Sequence, residues 1–130
     1  MDEKTEVRAL FERMQAAVRA IDYEAVRPLI ADDAIMFGSF AARMTGFEEM
    51  RDRQFVHVWP RIDGFSIDFD GMTVEVRGAL AWAAFFFRTG VKGSDARREG
   101  RMSFVLEKRR GAWTIVHSHD SLVPAGTLAG

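Results

Sequence analysis

The chain has 130 residues, 48% of them hydrophobic, and its 18 basic and 19 acidic side chains leave a net charge of −1. That length suits one domain, residues 1–130, with a real core, and the balanced charge offers no footing for a nucleic acid. The absence of cysteine excludes disulfides and thiolate chemistry, and neither the polar start MDEKTEVR nor the short apolar run Ala79 to Phe87 can target or span a membrane, so the expectation is a cytoplasmic protein.

In chain order, Val7, Leu10, Phe11, Met14, Val18 and Ile21 recur at the three-and-four spacing of an amphipathic helix. Asp22 can cap a second, shorter helix to about Ile30, with Val26, Leu29 and Ile30 inward and Pro28 near its first turns, where a missing N–H is tolerated. Asp32 and Asp33 end that pattern; Ala34 to Ser39 follows as a short strand and Phe40 to Met44 as a loop. Thr45 with Glu48 forms a capping box for a third helix, which carries Phe47, Met50, Gln54, Phe55 and Val58 on one side and stops at Pro60.

The remainder is strand-like. FSIDF alternates, with Phe65, Ile67 and Phe69 on one face; Asp70-Gly71 turns the chain into a strand over Met72 to Arg77. Gly78 permits a reversal into Leu80 to Val91, apolar on both faces and therefore central. Lys92 to Gly100 is a long polar loop, and Val123 to Gly130 is a small-residue tail expected to fray.

Between them lies the last hairpin, with strands Met102 to Glu107 and Trp113 to His119 around RRGA. With Gly111 in the left-handed third position of a three-residue loop, Lys108 pairs with Ala112, Phe104 faces Val116, Met102 faces Ser118 and Gly100 faces Asp120. The other face then pairs Val105 with Ile115, Ser103 with His117 and Arg101 with His119.

These elements predict an α+β fold, with three N-terminal helices packed on a curved, mostly antiparallel sheet to form a cone-shaped barrel. The open end of a cone is a natural ligand cavity. If even-numbered positions along Trp82 to Arg88 and Met102 to Asp120 face the helices, its wall takes Trp82, Phe86, Met102, Phe104 and Val116 from the sheet, together with Met14, Phe37, Phe55 and Trp59. Ser118 and Asp120 follow on the same side, and Arg88 reaches the mouth, pairs with Asp120 or is simply solvated. The convex face then shows Phe85, Phe87, Trp113 and Ile115, flanked by Arg101, Ser103, His117 and His119. So much apolar surface predicts a homodimer, unless the C-terminal tail covers it.

Asp120 is the sharpest polar candidate. A carboxylate partly buried among aromatics has a raised pKa and can serve as acid or base; its bland alternative is a surface aspartate or turn cap. His117 and His119 share a strand face and could offer two metal ligands, but a third is lacking, so no metal is expected. GxSxG, P-loop and GxGxxG patterns are absent, and no cofactor is expected.

The hairpin GRMSFVLEKRRGAWTIVHSHDS resembles the closing hairpin of SnoaL-like, ketosteroid-isomerase-like members of the nuclear transport factor superfamily, and also the association domain of calcium/calmodulin-dependent kinase. The resemblance continues in DYEAVRPLIADDAIMFG, TGFEEMR and ALAWA. It implies the cystatin-like, nuclear transport factor 2-like fold, which hosts unrelated functions. In the isomerases an Asp ending the first strand is the general base, and a Tyr on the first helix and a protonated Asp on a later strand hold the enolate. Those positions fall on Gly38, about Met14 and near Met102 to Phe104, none of which can do that work. The kinase domain carries a pocket arginine where this chain has Asp120.

The expectation is a homodimer that binds a small apolar or amphipathic molecule, with catalysis undecided. One alternative is an isomerase or dehydratase using Asp120; another is an association module with no ligand. Two or more buried ionisable groups converging on one void would favour the enzyme, and a closed core the module.

Overall fold

The computed structural model describes residues 2–126. The first helix, α1, spans Glu3–Ala20; the Asp2 carboxylate accepts the Thr5 N–H at its start, and Ile21 closes it in the left-handed region at φ 52°. Its stripe of Val7, Leu10, Phe11, Ala17 and Val18 is buried. The second helix is a 3₁₀ turn over Tyr23–Leu29 rather than an α-helix. Pro28 lies inside it and removes a donor, and Ile30 is already extended.

The first strand, β1 (Ile30–Phe37), therefore begins earlier than the pattern suggested, and Asp32 and Asp33 sit within it on the exposed side. Asp33 takes both Nη atoms of Arg109, at 3.0 and 3.4 Å. A two-residue strand, β2 (Met44–Thr45), occupies the expected loop. The third helix runs through Gly46–Met50, a π turn at Arg51–Phe55, Val56–Val58 and a 3₁₀ turn at Trp59–Arg61. No capping box forms: the Thr45 side chain makes no cap, and its backbone N–H donates to Glu49 Oε1 at 3.1 Å instead of Glu48.

Five further strands follow: β3 (Ile62–Ile67), β4 (Thr73–Arg77), β5 (Leu80–Val91), β6 (Arg97–Arg109) and β7 (Ala112–Leu122). They form one sheet in the order β2-β1-β7-β6-β5-β3, with β4 also paired to β5. All pairings are antiparallel except β1 with β7. Arg97 is already in β6, so the polar loop after β5 is shorter than expected.

The last hairpin differs from its expected register. Arg110 and Gly111 both have positive φ, 52° and 78°, and close a two-residue turn between Arg109 and Ala112. Leu106 then pairs with Ile115 but Val105 pairs with His117, which leaves Val116 as an extra residue in a β-bulge. Beyond it Phe104 pairs with Ser118, Met102 with Asp120 and Gly100 with Leu122. Each partner is two positions further along than predicted. Alternation is reset at the bulge, so Trp113 and Ile115 are buried under the helices on one side of it, and Ser118 and Asp120 on the other.

Strand β5 also faces the opposite way from its expectation. Its odd positions pair with the even, inward positions of β6, as Ala83 with Phe104, Phe85 with Met102 and Phe87 with Gly100. Phe85 and Phe87 are thus core residues, while Trp82, Phe86 and Arg88 are exposed on the outer face. Phe85 stacks on Phe104 at 5.7 Å, and both rings contact Phe11 of α1 at 5.1 and 4.7 Å. Of the expected fraying tail, Val123 is held by its N–H to the Glu99 carbonyl at 2.8 Å; residues 127–130 lie outside the described residues. Among the described residues no helix is long and apolar enough to cross a membrane.

The corrected facing has a direct test in urea unfolding. Phe85→Ala should lose about 3–5 kcal/mol, the usual cost of truncating a buried aromatic. Arg88→Ala, on the outer side, should stay within about 0.5 kcal/mol of wild type.

Candidate functional site

Between α1, the third helix and the concave side of the sheet lies a cavity of about 410 Å³. Met14 and Val18 of α1, Phe55 and Trp59 of the third helix, and Phe87, Met102, Phe104 and Ile115 of the sheet make an apolar wall. Phe55 stacks on Trp59 at 4.6 Å, and Tyr23 leans on the same indole at 5.3 Å. The Phe87 ring lies directly over Gly100, in the space a Cβ there would need. Any side chain at Gly100 would displace that ring.

Of the residues expected to line the pocket, Met14, Phe55, Trp59, Met102, Phe104, Ser118 and Asp120 do so. Phe37, Trp82, Phe86 and Arg88 do not, because they point to the outer face. Arg88 Nε lies 3.6 Å from Glu99 Oε2 there, away from Asp120. Val116 is the bulged residue and misses the cavity. Phe85, Phe87, Trp113 and Ile115, expected at a subunit contact, are buried inside. Arg101, Ser103, His117 and His119 do belong to the outer side.

Phe65, His57, Arg61, Arg98 and Gln54, which the sequence reading did not place among the cavity residues, also line it, as do Phe87 and Ile115, which were expected at a subunit contact. Gln54 had a legible signal, a polar residue inside the apolar stripe of the third helix. It is buried at 3% exposure, and Oε1 accepts the backbone N–H groups of Phe40 and Ala41 at 3.0 and 2.8 Å while Nε2 donates to Ser39 Oγ at 3.0 Å. One amide therefore holds the loop at the cavity's edge. The π turn that carries Gln54 is a local widening of the helix, with i→i+5 bonds, of the kind often found at functional sites.

Gln54 also closes the place where the isomerase base would stand. A Cβ on Gly38 would meet Gln54 Oε1 at 2.7 Å and the Ala41 carbonyl at 2.9 Å. No carboxylate could be accommodated there without moving the loop.

Asp120 is the buried ionisable side chain of the site, 8% exposed. Its Oδ1 has no hydrogen-bond partner among the described residues. Burial pushes its carboxyl up to about 6, against the pull of the Ser39 and Asp120 backbone N–H groups, which favour the charged form. Ser118, one inward position deeper, is buried as well. On the outer face Phe37 sits edge-on to His117 and His119 at 5.4 and 5.8 Å, and His117 Nδ1 lies 2.9 Å from the Ile35 carbonyl. Among the described residues no three metal-ligating side chains cluster.

A family model described as a SnoaL-like domain matches residues 7–126. The chain belongs to the SnoaL-like domain family. Its structure is similar to a nuclear transport factor 2-like protein of unknown function from Pseudomonas putida KT2440, with 25% identity, TM-score 0.78, and 93% of this chain and 88% of that one covered. It is also similar to a putative calcium/calmodulin-dependent protein kinase II association domain from Xanthomonas campestris, with 24% identity, TM-score 0.80 and 96% and 91% coverage. A ketosteroid isomerase-like protein from Erwinia carotovora atroseptica aligns at 16% identity, TM-score 0.76 and 95% and 99% coverage. None of the curated proteins matches this chain.

These likenesses, with that to a Nostoc punctiforme protein of cystatin-like fold, establish the nuclear transport factor 2-like, cystatin-like fold of this SnoaL-like domain. They do not carry a reaction.

Asp120 makes the stability of the domain pH-dependent. Its folded value, about 6, lies above its ordinary 3.8, so the native state favours the protonated carboxyl. The full native advantage holds below about pH 4 and fades as pH rises through 6. A two-unit difference is worth about 3 kcal/mol. Urea unfolding of wild type and Asp120→Asn at pH 4 and pH 8 should therefore show their difference moving against wild type by about 2–3 kcal/mol. A constant difference would mean that the carboxyl is better solvated than its burial implies.

Proposed function

We propose that this SnoaL-like protein is a homodimer that binds a small, largely apolar molecule in its cone, where Asp120 is the buried polar group that meets the ligand. The observation that carries this reading is the unpartnered oxygen of Asp120 at an apolar cavity of about 410 Å³, a volume within the usual range for small-molecule sites. A buried oxygen without a partner costs free energy that a ligand hydroxyl or N–H would recover.

Asp120 is the sole deeply buried ionisable group among the described cavity-lining residues; His57, Arg61 and Arg98 are more exposed. Binding is therefore better supported than paired acid–base catalysis. A carboxyl with a pKa of about 6 can nonetheless exchange a proton with a bound molecule near neutral pH, which favours a single-group isomerase or dehydratase as the second reading. The open volume counts against a filled association module.

Calorimetry with 2-naphthol as the probe tests the cavity. Wild type should bind it, and Met102→Trp, which fills the space beside Asp120, should weaken binding at least tenfold. No measurable binding to wild type at millimolar probe would remove the reading.

The homodimer rests on the outer sheet face. There Trp82 lies across from Val105, Val105 from His117, and His117 from Ile35, while Ser103 lies across from His119 and His119 from Phe37. Trp82, Phe86 and Phe37 are 45%, 40% and 40% exposed, a large apolar surface for a single subunit. Light scattering should give the mass of two chains for wild type and of one chain for the double variant Trp82→Glu, Phe86→Glu. A wild-type monomer at micromolar concentration would contradict the assembly.

A further inference from the structure

We infer that the molecule held in the cone is an amphipathic acid whose carboxylate is bound at the cavity mouth by Arg61 and Arg98. This rests on the reading of the cone as a binding site and adds the chemistry of its ligand.

The two arginines come from different elements and meet one void. Arg61 ends the 3₁₀ turn that closes the third helix, and Arg98 lies on β6 in the same inward alternation as Gly100 and Met102. Both line the cavity. Several arginines are tied to oxygen partners, as Arg19 to the Phe65 carbonyl and Ser66, Arg27 to Glu24, Arg51 to Asp52, and Arg109 to Asp33, whereas, among the described residues, Arg13, Arg43, Arg97 and Arg110 are not and do not line the cavity. Among the described residues Arg61 and Arg98 have neither an ion pair nor a side-chain hydrogen bond.

The acidic residues around them do not fill the gap. Glu99 alternates to the outer face and pairs with Arg88. Asp63 shares the space over Gly90 with Arg97. Asp120 is further inside, paired with Met102, four residues along β6 from Arg98. At strand rise that separation is about 13 Å. An apolar body between the two ends would lie along the aromatic wall, with a polar atom near Asp120 and a charge at the mouth.

A guanidinium pair suits that charge. Its planar fork matches a carboxylate with two parallel N–H donors, and it is less strongly hydrated than an ammonium.

Two probes of the same shape test the inference by calorimetry at pH 7: 2-naphthylacetic acid and its neutral amide. Wild type should bind the acid at least tenfold more tightly than the amide. The double variant Arg61→Gln, Arg98→Gln should lose at least tenfold for the acid and keep the amide affinity of wild type, which also reports that it remains folded. Equal binding of acid and amide by wild type, or an equal loss of both in the variant, would overturn the acid ligand while leaving the cone as a binding site. If neither probe binds wild type, the cone reading and the acid both fall.

Discussion

One extra residue in the last strand decides which side chains the cone contains. Without the bulge at Val116, strict alternation along β7 would place Asp120 on the outer face whenever Trp113 and Ile115 are buried. With it, Trp113 and Ile115 at the start of the strand are buried and Ser118 and Asp120 near its end still face the void. The turn at Arg110 and Gly111 depends on this arrangement too. A two-residue loop shifts the pairing by one, and the bulge shifts it by one more, so that even positions of β6 and β7 share a face beyond Val105.

The interior divides along the strands in consequence. Phe11, Phe85 and Phe104 pack ring against ring under α1 and close the sheet onto the helix. Further along, Gly100 withholds a side chain and Phe87 lies over it, so the space beyond Met102 remains open. Gln54 keeps that opening in shape by satisfying two backbone N–H groups of the adjoining loop. Trp113 Nε1 and Asp120 Oδ1 are the buried side-chain atoms without a partner among the described residues, and of these two residues only Asp120 lines the cavity. In the proposed reading, a ligand in the volume beside Asp120 supplies the missing partner.

Those features also explain why this SnoaL-like domain need not share a mechanism with isomerases of related shape. The end of β1 has no carboxylate and no room for one, because Gln54 fills that position. The cavity's buried carboxyl comes from β7 instead, and the backbone N–H of Ser39, in the loop that Gln54 holds, favours its charged form.

Much was legible before any coordinates. The spacing of Val7, Leu10, Phe11 and Val18, the alternation in FSIDF, and the turn signals at Asp70-Gly71 and Gly78 follow from local periodicity and backbone preference. Those are properties of neighbouring residues, so the amino-acid order alone determined the helices, most strands and the class of fold. The inward aim of Ser118 and Asp120 was reached through parity, although each assigned partner was two residues away. The facing of β5 could not be reached that way: AWAAFFF is apolar on both sides and has no polar alternation to mark inside from outside. Only pairing with β6 decides it, and that pairing places Phe85 within and Trp82 and Phe86 without. The bulge is likewise invisible in a run of β-formers, because it exists only in the pairing of β7 with β6. What order along the chain determined was local conformation; what the tertiary structure decided was which face of each doubly apolar strand meets the cavity, since that depends on contacts between residues far apart in sequence.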